Sequence, residues 1–209
     1  MKVLPVDPLA PREEAVHAAA DALLYGGVVA FPTDTVYGLS CLLMDPSAVE
    51  FVYRLKHRPA NLSVIALVPE REAVLPLVEF VPEAAEALMA RFWPGPLSLI
   101  FRASPLVPPR VTGERGTIAL RLPRHPLCEA LLAAVGGPIV SSSANLSGTA
   151  PCADATEIAH VFGNQIDVVL DGGRVGSVPP STVVDVSGAT VELVREGVVD
   201  VAEFLAKRR

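Results

Sequence analysis

No apolar run in this sequence approaches the roughly 20 residues that a membrane-spanning helix requires, because charges or prolines interrupt every candidate. The N-terminal stretch, residues 1–7, has too short an apolar segment for a secretory signal and carries an early acid. The three cysteines, Cys41, Cys128 and Cys152, match neither a disulfide framework nor a zinc site. From these absences we expect no membrane association and a cytoplasmic location.

The chain also lacks an excess of positive charge. It has 17 lysines and arginines against 23 aspartates and glutamates, for a formal net charge of −6. Proteins that hold nucleic acid by bulk charge are basic. The balance therefore argues against a sequence-independent nucleic-acid binder, although it leaves a local basic cavity open.

Two familiar catalytic signatures are missing. No Gly-x-x-x-x-Gly-Lys-Ser/Thr run occurs, which excludes a P-loop enzyme, and residues 172–176 are too weak a match for a dinucleotide fingerprint. No Gly-x-Ser-x-Gly surrounds any serine, which argues against hydrolysis by a serine nucleophile.

What the sequence does contain is ample material for a core, since 51% of its 209 residues are hydrophobic. We find no repeat or linker and expect one domain, residues 1–209. The pattern predicts helices at 11–25, 45–58, 69–91 with a break near Pro82, 126–135, 155–162 and 199–206. It predicts strands at 28–31, 63–68, 97–101, 117–122, 138–141, 168–170, 182–186 and 191–194, with a loop at 102–116. This irregular alternation predicts an α/β fold with a mixed, twisted sheet flanked by helices.

Two predicted strands end in residues rich in hydroxyl groups. The first leads through Pro32 into Thr33, Asp34, Thr35 and Tyr37. The second leads into Ser141–Gly148, where hydroxyl and amide groups suit phosphate oxygens, a ribose or a small polar substrate. The alternatives are a turn that only satisfies its own backbone and a serine-rich linker.

Four basic residues are candidates for anion binding. Lys56 and Arg58 follow a predicted helix and could clamp a phosphate or carboxylate, or simply complement the negative pole of that helix. Arg121 lies on a predicted strand and Arg195 follows one; a solvated strand residue and a surface salt bridge are the respective alternatives. These residues alone predict a small α/β protein that binds a phosphorylated or carboxylated small molecule.

Seven motifs occur in order, and together they are specific. They are Phe31–Leu39 (FPTDTVYGL), Lys56-x-Arg58-Pro59, Phe92–Pro96 (FWPGP), Ala119–Pro123 (ALRLP), Ser143–Gly148 (SANLSG), Pro180–Asp185 (PSTVVD) and Arg195–Gly197 (REG). Over nearly the whole chain they resemble the YrdC/TsaC threonylcarbamoyl-AMP synthase family.

The resemblance implies a YrdC-like domain around a basic cavity. It also implies condensation of L-threonine, bicarbonate and ATP to threonylcarbamoyl-AMP and pyrophosphate, with Mg²⁺ brought by ATP. The product would be the donor for modifying adenosine 37 of tRNA.

The resemblance also implies a role for each motif residue. Lys56 and Arg58 would be catalytic. The threonine site would contain Thr33, Thr35, Tyr37, Arg121 and Ser181. The nucleotide site would contain Lys56, Arg58, Thr117, Ser141, Ser143, Asn145 and Arg195. No residue is expected to ligate a metal.

The sequence departs from the family pattern at two places. Leu67 stands where many relatives have a histidine that would contact threonine, and Pro151 lies in a stretch lacking a serine often found near the nucleotide. The chain resembles the short form, which needs separate proteins to transfer the threonylcarbamoyl group. Alternatives are a regulatory paralogue that binds nucleotides or RNA, with weak binding of tRNA or double-stranded RNA, and a related carbamoyl-adenylate enzyme.

Overall fold

The computed structural model describes residues 1–59, 64–176 and 179–206. Within these ranges the chain forms ten strands and seven α-helices. The strands are β1 (Lys2–Pro5), β2 (Val29–Pro32), β3 (Tyr37–Leu42), β4 (Ile65–Leu67), β5 (Leu97–Arg102), β6 (Thr117–Arg121), β7 (Ile139–Ser143), β8 (Val168–Asp171), β9 (Thr182–Asp185) and β10 (Glu192–Arg195). The helices are α1 (Glu13–Leu24), α2 (Pro46–Leu55), α3 (Glu83–Phe92), α4 (Pro109–Thr112), α5 (Pro126–Val135), α6 (Ala155–Phe162) and α7 (Ala202–Ala206).

The described strands form a single mixed sheet in the order β1-β8-β2-β3-β7-β4-β6-β5-β9-β10. The pairs β1–β8, β2–β8, β4–β6 and β5–β9 are parallel, and the other neighbouring pairs are antiparallel. The predicted α/β class with a mixed sheet is thereby confirmed, and so is the C-terminal hairpin, which is formed by β9 and β10.

The sheet is covered on both faces by helices, which explains why its central strands are apolar without alternation. Val28 and Ala30 contribute to one core cluster, which also contains residues of α2, α3 and α6. Val29 and Phe31 belong to a second cluster formed with α1 and α5. Each fully buried side chain of this kind contributes roughly 1.5–3 kcal/mol to folding.

Helix α2 shows how local sequence sets the elements beside the cavity. Asp45 caps its N-terminus, because Oδ1 accepts hydrogen bonds from the backbone N–H groups of Ser47 at 2.9 Å and Ala48 at 3.1 Å. Pro46 occupies the first turn, as the sequence predicts. The helix ends at Leu55, directly before the basic residues that the sequence marks as an anion clamp.

The structure contains two strands that the sequence did not predict, β1 and β3. The stretch from Thr33 to Tyr37 was expected to leave the sheet as a loop. Instead a turn at 33–36 reverses the chain, and β3 pairs with β2 so that Gly38 lies opposite Phe31. Five of the six residues of β3 are buried, so the alternation that marks a strand is absent from its sequence.

Other boundaries also differ. The first half of the predicted helix at 69–91 is a short 3-10 helix, Glu72–Leu77, with Pro76 inside it. The expected loop at 102–116 contains α4, and α7 begins three residues later than predicted. The strand predicted at 63–68 is β4, while residue 63 lies outside the described residues.

Candidate active site

A cavity of about 860 Å³ opens between the ends of the central strands and the loops that follow them. Its walls come from the turn between β2 and β3, the residues after α2, β4, the end of β6, the end of β7 with the loop after it, the segment after β8, and the residues around β9 and β10. The polar and charged residues that line it are Thr33, Thr35, Arg58, Arg121, Ser141, Ser142, Ser143, Asn145, Thr149, Arg174, Ser181 and Arg195.

The turn between β2 and β3 is tied by its own threonines. Thr33 Oγ1 donates to the carbonyl of Val36 at 2.8 Å and accepts from the backbone N–H of Thr35 at 3.2 Å. The hydroxyls of Thr33 and Thr35 are 3.1 Å apart. The turn therefore does satisfy its own backbone, and both hydroxyls also line the cavity.

Arg121, at the end of β6, is held from three sides. Its Nε donates to the carbonyl of Gly95 at 3.2 Å, and its Nη1 lies 3.4 Å from Thr35 Oγ1. Its Nη2 forms an ion pair with Asp34 Oδ1, and both side chains are nearly buried, at 6% and 12% exposed. The guanidinium thus has a fixed orientation at the cavity wall.

The sequence did not identify Asp34 as the partner of Arg121. The two residues are 87 positions apart, and a short-range pattern carries no signal for such a pair. Asp34 Oδ2 is buried and has no hydrogen-bond partner among the described residues.

Lys56 and Arg58 face different surroundings. His57 between them has a φ of 51°, and this left-handed residue turns the chain as α2 ends. Arg58 lines the cavity, whereas Lys56 is 1% exposed.

The ammonium group of Lys56 lies behind residues 141–148, which we call the serine-rich loop. It donates to the carbonyl of Ser143, to the carbonyl of Asn145 at 2.7 Å and to Asn145 Oδ1 at 3.3 Å. An ammonium has three N–H donors, so these contacts account for all of them. Burial, together with the nearby Arg58 charge, lowers the pKa of Lys56 to about 8.

Asn145 connects the two ends of this loop. Its Oδ1 accepts from Ser143 Oγ at 2.5 Å, and its Nδ2 donates to the carbonyls of Leu146 and Thr149, both at 2.8 Å. The segment is therefore an ordered, hydrogen-bonded structure and not a linker, and Ser141, Ser143 and Asn145 all line the same cavity.

Ser181 and Arg195 contact each other on the opposite side of the cavity. Arg195 Nε and Nη2 donate to the carbonyl of Ser181 at 3.0 and 2.8 Å, and Nη2 lies 3.0 Å from its hydroxyl. Burial, followed by the charges of Arg121 and Arg58, lowers the pKa of Arg195. The cavity therefore concentrates positive charge, which an anionic ligand would offset.

Three predicted site residues within the described ranges do not line the cavity: Lys56, Tyr37 and Thr117. Tyr37 is fully buried, and its hydroxyl contacts Gly172 and Gly173. Thr117 begins β6 whereas Arg121 ends it, which places the two about 13 Å apart along the strand. Thr117 is therefore not among the residues that line this cavity.

Arg174 is a cavity residue that the sequence reasoning missed. It stands in the segment 172–176, which we call the wall segment, and its Nη1 pairs with Asp154 Oδ2 at 2.6 Å and Glu157 Oε1 at 3.1 Å. The glycine pair after a predicted strand, followed by an arginine, was the only available signal. Leu67 and Pro151, the two departures from the family pattern, also line the cavity.

Within the described parts of the chain, no three His, Cys, Asp or Glu side chains are grouped as a metal site. In the same residues, no helix is long and apolar enough to cross a membrane.

Comparison with known proteins gives a consistent result. The family model named Sua5_yciO_yrdC and described as "Telomere recombination" matches residues 21–197. The threonylcarbamoyl-AMP synthase of Pyrococcus abyssi is 37% identical over 92% of this chain, which spans 57% of that relative's length. The threonylcarbamoyl-AMP synthase of Marinobacter nauticus is 35% identical over 86% of this chain and 95% of its own length.

Solved structures give the same fold. The crystal structure of P. abyssi Sua5 complexed with L-threonine matches with a TM-score of 0.92 at 35% identity, over 98% of this chain and 60% of that one. Escherichia coli YciO matches with a TM-score of 0.90 at 32% identity, over 98% of this chain and all of that one. By its match to the family model, by sequence identity and by fold, this chain belongs to the Sua5/YciO/YrdC family.

Proposed function

We propose that this chain is a threonylcarbamoyl-AMP synthase that condenses L-threonine, bicarbonate and ATP into threonylcarbamoyl-AMP and pyrophosphate. One observation carries the proposal most directly. A single cavity of about 860 Å³ gathers Arg58, Arg121 and Arg195 with the hydroxyls of both strand-end motifs. The names of the relatives and the threonine complex of the P. abyssi protein support the same reaction.

Threonine is assigned to the side of the cavity formed by the β2–β3 turn. There Arg121 offers a guanidinium fork for the carboxylate, and its orientation is fixed by Asp34 and Gly95. The hydroxyls of Thr33 and Thr35 are available beside it, with Ser181 across the cavity.

The nucleotide is assigned to the side formed by the serine-rich loop. Ser141 and Ser143 offer hydroxyl groups to the phosphates and ribose, and Arg58 and Arg195 offer positive charge. Asn145 lines the same side, and its amide holds the loop through Leu146 and Thr149. Lys56 supports this side by holding the loop carbonyls and adding a buried positive charge behind them. Thr117 receives no contact role in this assignment.

The reaction needs no protein nucleophile. The amine nitrogen of threonine bonds to the carbon of bicarbonate, the bond from that carbon to its hydroxyl breaks, and the hydroxyl leaves with an amine proton as water. With carbon dioxide instead, the amine releases its proton to solvent. An oxygen of the resulting N-carboxylate then attacks the α-phosphorus of ATP. The bond to the β-phosphate oxygen breaks, and pyrophosphate leaves. The N-carboxylate, the carboxylate of threonine and the phosphates of ATP are all anionic, so the arginines offset their repulsion and hold the groups in line. Mg²⁺ enters with ATP, bound to its phosphates.

We further propose one YrdC-like domain over residues 1–209, acting in the cytoplasm, with separate proteins transferring the threonylcarbamoyl group to tRNA. Any binding of tRNA or double-stranded RNA by the chain itself would be weak, because its net charge is −6. A shallow dependence of such binding on salt would support this.

The test is release of pyrophosphate from ATP by the purified chain, with bicarbonate and each amino acid in turn. We expect release that needs both threonine and bicarbonate, with threonylcarbamoyl-AMP identified by mass spectrometry. Release with another acceptor would replace the proposal by a related carbamoyl-adenylate reaction. ATP binding without release would replace it by a regulatory, nucleotide-binding role.

A further inference from the structure

Tyr37 connects three separate parts of the cavity without reaching its surface. It is fully buried at the start of β3. Its carbonyl accepts a hydrogen bond from the backbone N–H of Ala144 at 2.8 Å, within the serine-rich loop. Its hydroxyl reaches the wall segment, 172–176, on the other side.

Both capacities of the Tyr37 hydroxyl are used there. It donates to the carbonyl of Gly173 at 2.8 Å and accepts from the backbone N–H of Gly172 at 3.0 Å. Burial raises the pKa of Tyr37 to about 12, so the hydroxyl keeps its proton and continues to donate at neutral pH. Phenylalanine at this position would keep the ring and lose both hydrogen bonds.

The wall segment needs such an anchor. Gly173 has a φ of +80° at the turn that starts the segment, and no heavy atom would contact a Cβ placed there. Gly172 and Gly173 also line a second cavity of about 550 Å³ on their far side. Gly172 itself is closely packed, since a Cβ there would lie 2.7 Å from Pro32 Cγ, whereas nothing lies within 4 Å of a Cβ at Gly173 or Gly176. The residues after Gly172 therefore depend on hydrogen bonds for their position.

The other end of the wall segment is attached to the residues before α6. Val175 N–H donates to the carbonyl of Ala153 at 2.8 Å, and Arg174 pairs with Asp154 and Glu157. Arg174, Val175 and Gly176 then line the main cavity next to residues 149–153, which follow the serine-rich loop directly. The segment thus borders the side assigned to the nucleotide.

We propose that Tyr37 is a positioning residue for nucleotide binding: its hydroxyl fixes the wall segment, and the wall segment closes the nucleotide side of the cavity. This inference rests on the proposed function, whose threonine and nucleotide sides it uses. Tyr37 then affects binding of the nucleotide, whereas the family resemblance implied a role in the threonine site.

The test compares Tyr37→Phe with Tyr25→Phe, which removes the hydroxyl of a tyrosine that is 91% exposed. In Tyr37→Phe we expect the KM for ATP and the Kd for AMP to rise about five- to tenfold, as the loss of two buried hydrogen bonds implies. The KM for threonine stays at the wild-type value, and hydrogen exchange of the amides at 173–176 becomes faster. Tyr25→Phe changes none of these.

A rise in the KM for threonine alone would overturn the inference and return Tyr37 to the threonine pocket. Unchanged AMP affinity together with faster exchange would overturn it as well. Should Tyr37→Phe fail to fold, Arg174→Met tests the other anchor of the wall segment, since that side chain is 67% exposed; normal AMP affinity in this variant would overturn the inference. A wild-type chain that makes no threonylcarbamoyl-AMP refutes the proposed function instead, whereas normal synthesis with an unaffected Tyr37→Phe refutes only the inference.

Discussion

The ammonium group of Lys56 donates a hydrogen bond to the carbonyl of Asn145 at 2.7 Å, from behind the loop that presents Asn145 to the cavity. The pair makes the positive charge and the loop conformation depend on each other. A nearby phosphate would favour the charged form of Lys56, and the charged form keeps the loop carbonyls turned inward. This coupling gives Lys56 a role in binding without direct exposure to the ligand.

The affinity for AMP should therefore fall as pH rises through the pKa of Lys56. Burial lowers that pKa to about 8, so the side chain is charged below this pH and loses its charge above it. AMP suits the measurement because its phosphate titrates at about pH 6 and keeps its charge above pH 7. We expect the wild-type Kd to rise between pH 7 and 9. In Lys56→Met the Kd for AMP should be higher than in wild type at pH 7 and should not change between pH 7 and 9. A parallel rise of the Kd in both proteins would contradict a role for Lys56.

The same shift should make the unfolding free energy depend on pH. The pKa of Lys56 is about 8 in the folded chain against 10.5 for a free lysine, so between these values the unfolded state binds more protons. Stability contributed by this group therefore rises with pH from 8 to 10.5. Urea unfolding across that window should show a steeper rise for wild type than for Lys56→Met. Equal slopes would mean that Lys56 titrates normally.

Arg121→Gln should separate stability from threonine binding. The change leaves the nearly buried Asp34 without its ion-pair partner, which costs about 3 kcal/mol or more. Threonine affinity should fall at least about tenfold, because a charged, bidentate contact is lost. The double variant Arg121→Gln with Asp34→Asn should recover most of the stability and none of the affinity. Recovery of threonine binding in the double variant would argue against Arg121 as the carboxylate site.

Gly38→Ala should weaken nucleotide binding by crowding a cavity residue. A Cβ at Gly38 would lie 2.7 Å from Ser141 Oγ, so Ser141 or the strand must shift. Overpacking of this kind costs about 1–3 kcal/mol of folding stability. We also expect a higher Kd for AMP, because the Ser141 hydroxyl is displaced from its place in the cavity. Gly137→Ala is the matched control, since no heavy atom lies within 4 Å of its added Cβ. An unchanged AMP affinity in Gly38→Ala would show that AMP binding does not depend on the position of the Ser141 hydroxyl.

Asp45→Ala should lower stability and leave binding intact. The carboxylate caps α2 through Ser47 and Ala48, and loss of such a cap costs about 1 kcal/mol. Asp45→Asn keeps a hydrogen-bond acceptor, so its free energy of unfolding should lie within a few tenths of a kcal/mol of the wild-type value. Thermal unfolding measures the stability of each variant, and titration with AMP measures its affinity. A weakened AMP affinity in Asp45→Ala would mean that the N-terminus of α2 is coupled to the cavity.

The sequence was most informative where a motif lies in one continuous stretch. The serine-rich loop and the β2–β3 turn carry their hydroxyls within a few residues, so their chemistry can be recognised before any fold is known. Alternation and turn residues likewise sufficed for the mixed sheet. They did not suffice for β3, because burial on both faces removes the pattern from its sequence.

Long-range pairs set the limit of the sequence reasoning. Neither the ion pair of Arg121 with Asp34 nor the contact of Tyr37 with Gly172, 135 positions away, follows from local pattern. Lys56 and Arg58 were identified together, yet the left-handed conformation of His57 decides that only Arg58 lines the cavity. Such a backbone choice at a non-glycine residue is made by the tertiary structure.

The position of β8 in the sheet has a consequence for synthesis on the ribosome. β8 pairs with both β1 and β2, which leave the ribosome more than 130 residues earlier. Neither of these two pairings can form until β8 has been synthesised. Contacts over such separations form late and slowly. Residues 181 and 195 of the cavity follow β8 in turn. Nascent chains therefore hold the full set of cavity residues only after residue 195 has left the ribosome, so nucleotide binding would report that this domain has folded.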